Sequence, residues 1–399
     1  MRRITLTAVL CAAPLALHAQ FDFKADGRDV QVHSFASQGF AYSNDNNYLT
    51  MDTSQGSFAM TDGGINISAP ITDKFRVGAQ AYDRNVGVLG KGRVTLDWAL
   101  GDYKFKSWFG VRAGRVKTTL GLYNDTQDME FLHTWAILPQ SMYPLDLRAS
   151  TIAHDGVDLY GTFGLKKHGD LSYTAYVGSR PADPTGGYLY GVKVFGIDLS
   201  SLTSRQAGGD LRWNNLLPGL LFGASFLNGP QHAVGTILTS PLPLSPYAIQ
   251  AADNTLTYYI QFKTGNLTVD GEYRRETIGG TGSISVMPTY VVNTPFFEDQ
   301  RAWYGAVAYR VSKRLELGTY RSWFYPTWTT DTTSPAGHMT DQTVTARVDL
   351  AKFWDLKIEG HFIDGYGNPQ SFRGFYPQNN PTGFQPKTTL LVIRTGFNF

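Results

Sequence analysis

The sequence holds a single cysteine, Cys11, in 399 residues. It sits in the opening stretch MRRITLTAVLCAAPLALHAQ, where Arg2 and Arg3 precede an apolar run that ends at Leu17-His18-Ala19-Gln20. That is the layout of a cleaved secretory leader, residues 1–20. The mature chain therefore has no thiol, which excludes disulfides, thiolate metal sites and cysteine nucleophiles. Charge is sparse as well: charged residues make up 17% and the net charge is +2, which gives no basis for nucleic-acid binding. After the leader no apolar run reaches the roughly 18 residues a membrane helix needs. Neither zinc-ligand spacing nor an Asp-x-Asp-x-Asp-Gly calcium loop occurs, so no metal or other cofactor is expected. No fixed repeat marks a solenoid or propeller, and no linker divides residues 28–399.

What is present is aromatic and glycine-rich: 14% Phe, Trp and Tyr, with 42 glycines. The apolar residues alternate with polar ones. In TLLVIRTGFNF, Leu391, Ile393, Thr395, Phe397 and Phe399 share one face, and Val392, Arg394, Gly396 and Asn398 the other. KFRVGAQAYDR sets Phe75, Val77, Ala79 and Ala81 against Arg76, Gln80 and Arg84. TVTARVDL and DLKIEGHF repeat the pattern, with Arg347, Lys357, Glu359 and His361 opposite aliphatic residues. A secreted β-sandwich also alternates, but it would bury the face on which these charges recur. Charges at every second position fit a water-filled lumen behind a lipid-facing wall.

This predicts an all-β, transmembrane antiparallel β-barrel of about sixteen strands over residues 28–399, after a periplasmic segment at residues 21–27. Strands are expected to start near Arg28, Ser57, Lys74, Gly92, Lys104, Ile152, Asp170, Gln206, Leu220, Asn254, Asn266, Arg301, Arg314, Asp341, Trp354 and Thr388. Tight turns such as GDY, KKHGD and VSK alternate with longer loops such as GPQHAVGTILTSPLPLSPYAIQAAD, which places the short turns in the periplasm. Arg76, Arg84, Arg93, Arg212, Arg274, Arg347, Lys357 and Arg394 then fall on the water-facing parity. Basic residues outnumber acidic ones on that parity, which predicts mild anion preference.

The densest chemistry lies in a third long connection, residues 120–150. A loop of that length is normally functional or disordered, and its Trp, Phe, Leu and Met content argues against disorder. Asp125 and Asp128 offer a helix start; Met129, Leu132, Ala136 and Ile137 follow at helical spacing until Pro139. Arg112 could form one wall of a constriction and Asp125, Asp128, Glu130 and His133 the facing one. Arg115 and Lys117 have the opposite parity unless the chain bulges near Gly114. Arg148 and Asp146 are candidates for a bridge that pins the loop's return. Each acid could equally cap a turn.

The chain resembles the sixteen-stranded porins along nearly its full mature length. GRVKTTLGLYND resembles the strand-to-loop junction of the phosphate-selective porin O/P family and related anion-selective porins, which carry a Lys-Pro-Pro-Phe-Gly-Leu-like turn. Lys117, Gly121 and Leu122 match it, while Thr118, Thr119 and Leu120 stand where Pro, Pro and Phe would be. The resemblance implies a homotrimer in outer-membrane lipid and lipopolysaccharide, with a third loop that folds inward and narrows a channel for small anionic or neutral solutes. Terminal Phe399 resembles the signal read by the barrel-assembly machinery. Two rival classes are a barrel enzyme, phospholipase- or protease-like, and a surface adhesion barrel. His133 and His154 lie near Asp128, Ser150 and Asp155 in sequence, but no nucleophile motif surrounds them, so no catalysis is expected.

Overall fold

The computed structural model describes residues 21–25, 27–239, 244–287, 289–371 and 373–399; the leader expected at residues 1–20 lies outside them. Its strands are β1 (Phe21–Ala25), β2 (Arg28–Ser43), β3 (Ser57–Pro70), β4 (Phe75–Val86), β5 (Thr95–Lys106), β6 (Phe109–Lys117), β7 (Ala153–Gly164), β8 (Asp170–Arg180) and β9 (Ile197–Asn214). The second half comprises β10 (Leu220–Ile237), β11 (Pro246–Thr264), β12 (Leu267–Met287), β13 (Tyr290–Arg310), β14 (Leu315–Tyr325), β15 (Met339–Ala351), β16 (Trp354–Asp364) and β17 (Lys387–Asn398).

From β2 to β17 every strand pairs antiparallel with its sequence neighbours, and β17 pairs back onto β2, so sixteen strands close into a barrel. At the seam the Phe399 N–H donates to the Ser34 carbonyl at 2.6 Å, and the Ser34 N–H returns to Phe399 at 2.9 Å. A closed ladder leaves no backbone edge facing lipid, the condition any membrane-spanning sheet must meet. β1, in the segment read as a periplasmic tail, folds back along β2 with Phe21 opposite Val32.

The alternation in the sequence maps onto two faces of this wall. On β16, Ile358 and Phe362 point outward, 46% and 54% exposed, while Lys357, Glu359 and His361 point inward. Outward aromatics form two belts. Near the tight turns, Trp354 stacks on Phe397 at 5.2 Å and Phe105 on Phe109 at 5.1 Å. Toward the other end Trp303 stacks on Trp323 at 5.9 Å and on Tyr325 at 5.3 Å.

Several strand limits differ from the sequence expectation. GDY is no turn: Asp102 sits within β5, opposite both Arg76 and Arg112, and the turn falls at residues 107–108. β9, β11 and β13 begin at Ile197, Pro246 and Tyr290, well before Gln206, Asn254 and Arg301. Most of GPQHAVGTILTSPLPLSPYAIQAAD, expected as a loop after Asn228, is strand in β10 and β11. Beyond the belt at Trp303 these hairpins project into water: at about 3.3 Å per residue, Tyr290 lies roughly 40 Å farther along its strand. There both faces are wet, and the lipid constraint that writes alternation into the sequence is absent.

Candidate functional site

Between β6 and β7 the chain of residues 118–152 turns into the barrel. The helix expected after Asp125 does not form. Instead there are 3-10 turns at Asn124–Thr126 and Glu130–Leu132, then α1, Arg148–Thr151. The wall explains this, because it offers the loop backbone better partners than a helix would. The Glu359 carboxylate accepts the N–H groups of Ala136 and Ile137, each at 3.0 Å. Arg347 donates to the carbonyls of Phe131 and His133 at 2.8 and 2.7 Å. Arg394 donates to Ala136 at 2.8 Å, and Lys357 donates to the Glu130 carbonyl at 2.7 Å while pairing with its carboxylate. Leu132, on the expected apolar face, is 55% exposed.

The loop's entry is fixed on β12. The Glu272 carboxylate accepts the Leu122 N–H at 2.9 Å and the hydroxyls of Tyr143 and Tyr304 at 2.7 and 2.8 Å. Tyr123 donates to Asp270 at 2.5 Å. Gly121 makes this approach possible: its φ is 72°, and a Cβ there would sit 2.6 Å from Glu272 Oε2. Trp135 then meets the Tyr320 ring edge-on at 5.0 Å.

The return leg is held by charge. Asp128 accepts from Lys117 at 2.6 Å and from Gln80 at 2.6 Å. Burial pushes its carboxyl up, but Lys117 and Arg148 outweigh that and hold it below the ordinary range. Arg148 donates to Asp97 at 2.8 Å and lies over the Tyr82 ring at 4.1 Å. Asp146 bonds Tyr376 and the Gly374 N–H, at 2.8 and 3.1 Å, rather than Arg148; burial pushes its carboxyl up to about 6. His133 packs on Tyr123 and donates from Nε2 to the Thr126 carbonyl at 2.9 Å, and burial pushes its ring down to about 4.

Thus Asp128, Glu130, His133, Arg148, Arg347, Lys357 and Arg394 are buried or nearly so in contacts that seat the loop. Arg84 is another: it is buried and donates to the Leu145 carbonyl at 2.6 Å. Arg115 stays on the outward parity, because β6 pairs with β5 and β7 without a register shift at Gly114; it bonds Asp155 at 2.6 Å. Arg93 lies outside the strands in the β4–β5 connection, and Arg76 pairs with Asp102 at 3.1 Å toward the tight-turn end.

What stays open to water is the gap between the loop and the β6–β11 wall. Arg112 on β6 is 31% exposed, lies over the Tyr160 ring at 4.1 Å and approaches Asp102 at 3.6 Å. Arg212 on β9 is 23% exposed, donates to the Tyr259 hydroxyl at 3.1 Å and reaches the Gly121 carbonyl at 3.3 Å. Asp125 projects from the loop within electrostatic reach of Arg212. Arg212 on the wall therefore faces a loop carboxylate, while Arg112 adds a second, partly exposed guanidinium on β6. The anchors Glu272 and Glu359 were legible only as lumen acids; their partners lie 150 and more than 220 residues away in sequence.

Thr118, His154 and Asp158 form a chain of contacts, with Oγ1 to Nδ1 at 3.0 Å and Nε2 to the carboxylate at 2.8 Å. All three are sealed from solvent, and Gln206 occupies the Thr118 hydroxyl at 3.0 Å. No substrate carbonyl could approach that oxygen, so the cluster ties the loop's root to β7 and β9.

No protein-family model and no curated protein matches the chain. Solved structures do. OmpT, an outer membrane protein of Vibrio cholerae, superposes with TM-score 0.56 at 11% identity, over 95% of this chain and 99% of that one. An anion-selective porin from Comamonas acidovorans gives 0.54 at 11% identity, over 93% and 100%. Salmonella typhi OmpF in complex with daunomycin gives 0.58 at 9%, over 95% and 100%. At such identities the likeness is one of fold: a closed barrel of sixteen antiparallel strands.

Proposed function

We propose that the chain is an outer-membrane porin, a passive water-filled channel for small hydrophilic solutes with mild anion preference. The observation that carries this is the third connection, which lies inside a closed barrel and leaves Arg112 and Arg212 partly exposed on the wall, with Asp125 of the loop beside Arg212. A few rigidly held charges in a narrow passage sort solutes by size and sign. The two guanidiniums favour anions, and Asp125 moderates the preference. Support for a homotrimer comes from the OmpT fold relative, which is described in a trimer form. The outward belts fit insertion among outer-membrane lipid and lipopolysaccharide, and the terminal strand ending on Phe399 fits recognition by the barrel-assembly machinery. The sealed Thr118–His154–Asp158 cluster gives no footing for an enzyme, and the inward loop none for an adhesin that presents it.

Folded protein in planar bilayers tests this. Ohmic single-channel steps are expected, with a reversal potential in a potassium chloride gradient displaced modestly toward the chloride potential. Folded protein that opens no channels overturns the porin assignment, and a cation-selective reversal potential overturns the role given to Arg112 and Arg212.

A further inference from the structure

Outside the constriction the inward face changes character. On β9, β11, β12 and β13 the inward positions include Ser204, Asp253, Arg274 and Glu298, and then become Leu202, Ile249, Ile278 and Phe296. Ile278 is flanked in register by Asp253 and Glu298, so apolar and charged groups interleave. Opposite them α2 (Gly187–Val194), in the β8–β9 connection, presents Leu189 and Val192 to the same cavity of about 300 Å³. Apolar area left facing water forgoes about 25 cal/mol per Å². A passage for hydrophilic solutes alone has no use for such a patch on inward positions.

Arg274 supplies the second observation. It lines the cavity, is only 6% exposed, and forms no ion pair with any described residue; its Nε has no hydrogen-bond partner among them. The acids around it are committed elsewhere. Glu272 holds the loop, Asp253 accepts both contacts from Arg180 at 2.7 Å, and Glu276 faces Arg373 at 4.0 Å. A buried guanidinium without an ion pair of its own is costly, and an incoming carboxylate would offset that cost. Glu298 accepts from Gln300 at 2.9 Å and has no ion pair among the described residues, so it opposes a second negative group on the same ligand.

We infer that this cavity binds small monocarboxylates with an apolar body, the carboxylate on Arg274 and the body against Ile249, Ile278, Phe296 and Leu189. The inference rests on the channel reading for the route by which the solute leaves, and it narrows the solute class. The constriction's guanidiniums then receive an anion already oriented and stripped of part of its water.

Calorimetric titration of the folded, detergent-solubilised barrel with hexanoate, acetate, hexylamine and succinate tests it, with single-channel block by the same compounds measured beside it. Four more methylenes, half withdrawn from water, are worth roughly tenfold or more. Hexanoate is therefore expected to bind and block at least tenfold more tightly than acetate, with hexylamine and succinate weaker than hexanoate. Arg274→Gln should abolish hexanoate binding. The pair Ile278→Ser with Phe296→Ser should reduce hexanoate to the level of acetate while Arg274 remains, and it decides the matter if the Arg274 variant fails to show heat-modifiable mobility. Equal affinities for hexanoate and acetate, or hexanoate binding untouched by Arg274→Gln, overturn the inference. Channels without hexanoate preference remove this site and leave the porin reading standing. Hexanoate binding without channels does the reverse.

Discussion

Replacing Glu359 by Ala isolates what holds the loop in the barrel. Its carboxylate is fully buried, accepts two backbone N–H groups of the loop at 3.0 Å, and lies 3.1 Å from His361 Nε2. Truncation leaves the N–H groups of Ala136 and Ile137 without acceptors inside the lumen. At about 1–3 kcal/mol per orphaned buried group, the seat of this segment weakens by about 2–6 kcal/mol. Loop release is then favoured roughly thirty- to twenty-five-thousand-fold relative to the parent. The wall itself should survive. β16 keeps its ladders to β15 and β17, and His361 keeps Asp341 at 2.9 Å. The other anchors, Lys357 on Glu130 and Arg394 on the Ala136 carbonyl, restrain the loop only in part. In planar bilayers Glu359→Ala should therefore show greater open-channel noise and a lower closing voltage, with normal heat-modifiable mobility on gels. Glu359→Gln, which retains one acceptor oxygen, should lie between Ala and the parent. A Glu359→Ala channel with parental noise and closing voltage would refute the claim that these two hydrogen bonds set the loop's position.

Deleting residues 125–139 should raise single-channel conductance markedly, because the segment crosses the lumen; unchanged conductance would mean that it does not obstruct the path. Arg112→Ala combined with Arg212→Ala should displace the reversal potential toward the cation side, because it removes two partly exposed cations from the wall, and an unmoved potential would place the filter elsewhere. For pH, His133 sits at about 4 against an ordinary 6.5. Its contribution to seating the loop is therefore complete above about 6.5 and lost as pH falls through about 4. Asp146, raised to about 6, runs the other way: its contribution is complete below 3.8 and lost as pH rises through about 6, so it opposes rather than causes an acid transition. Closing voltage should fall on acidification toward pH 4, and His133→Gln, which keeps a donor for the Thr126 carbonyl, should remove that response; an identical pH profile would exclude His133.

The barrel was legible because lipid and water sit on opposite sides of one wall and force a period of two. β17 illustrates this: its face assignments from Leu391 to Asn398 hold in the structure, down to Arg394 turned inward. The same rule shows where legibility ends. In YVVNTPFFED both faces meet water, no alternation is imposed, and the sequence pattern marks β13 only from Arg301 onward. The β5–β6 turn at Ser107 and Trp108 lacks Gly, Pro or Asn, so the sequence points instead to GDY, a Gly-Asp pair that lies in mid-strand.

The loop failed to yield to sequence for a different reason. Helical spacing states what a segment does when its backbone must satisfy itself, yet in this lumen the wall does the satisfying. Glu272, Arg347, Glu359 and Arg394 offer acceptors and donors aimed at individual peptide groups of residues 122–137. A side chain bonded to a backbone group leaves no signature in the identity of the residue whose backbone it holds. Only the exception was visible. Where the wall comes closest, a carboxylate leaves no room for a Cβ, and the sequence has Gly121, one of the three positions that matched the porin turn. The charges counted as lumen lining divide on the same principle. Those opposite the loop, such as Lys357 and Arg394, are consumed in seating it, and those it covers less, Arg112 and Arg212, keep part of their exposure. Selectivity should therefore follow the uncovered charges rather than the total written along the strands.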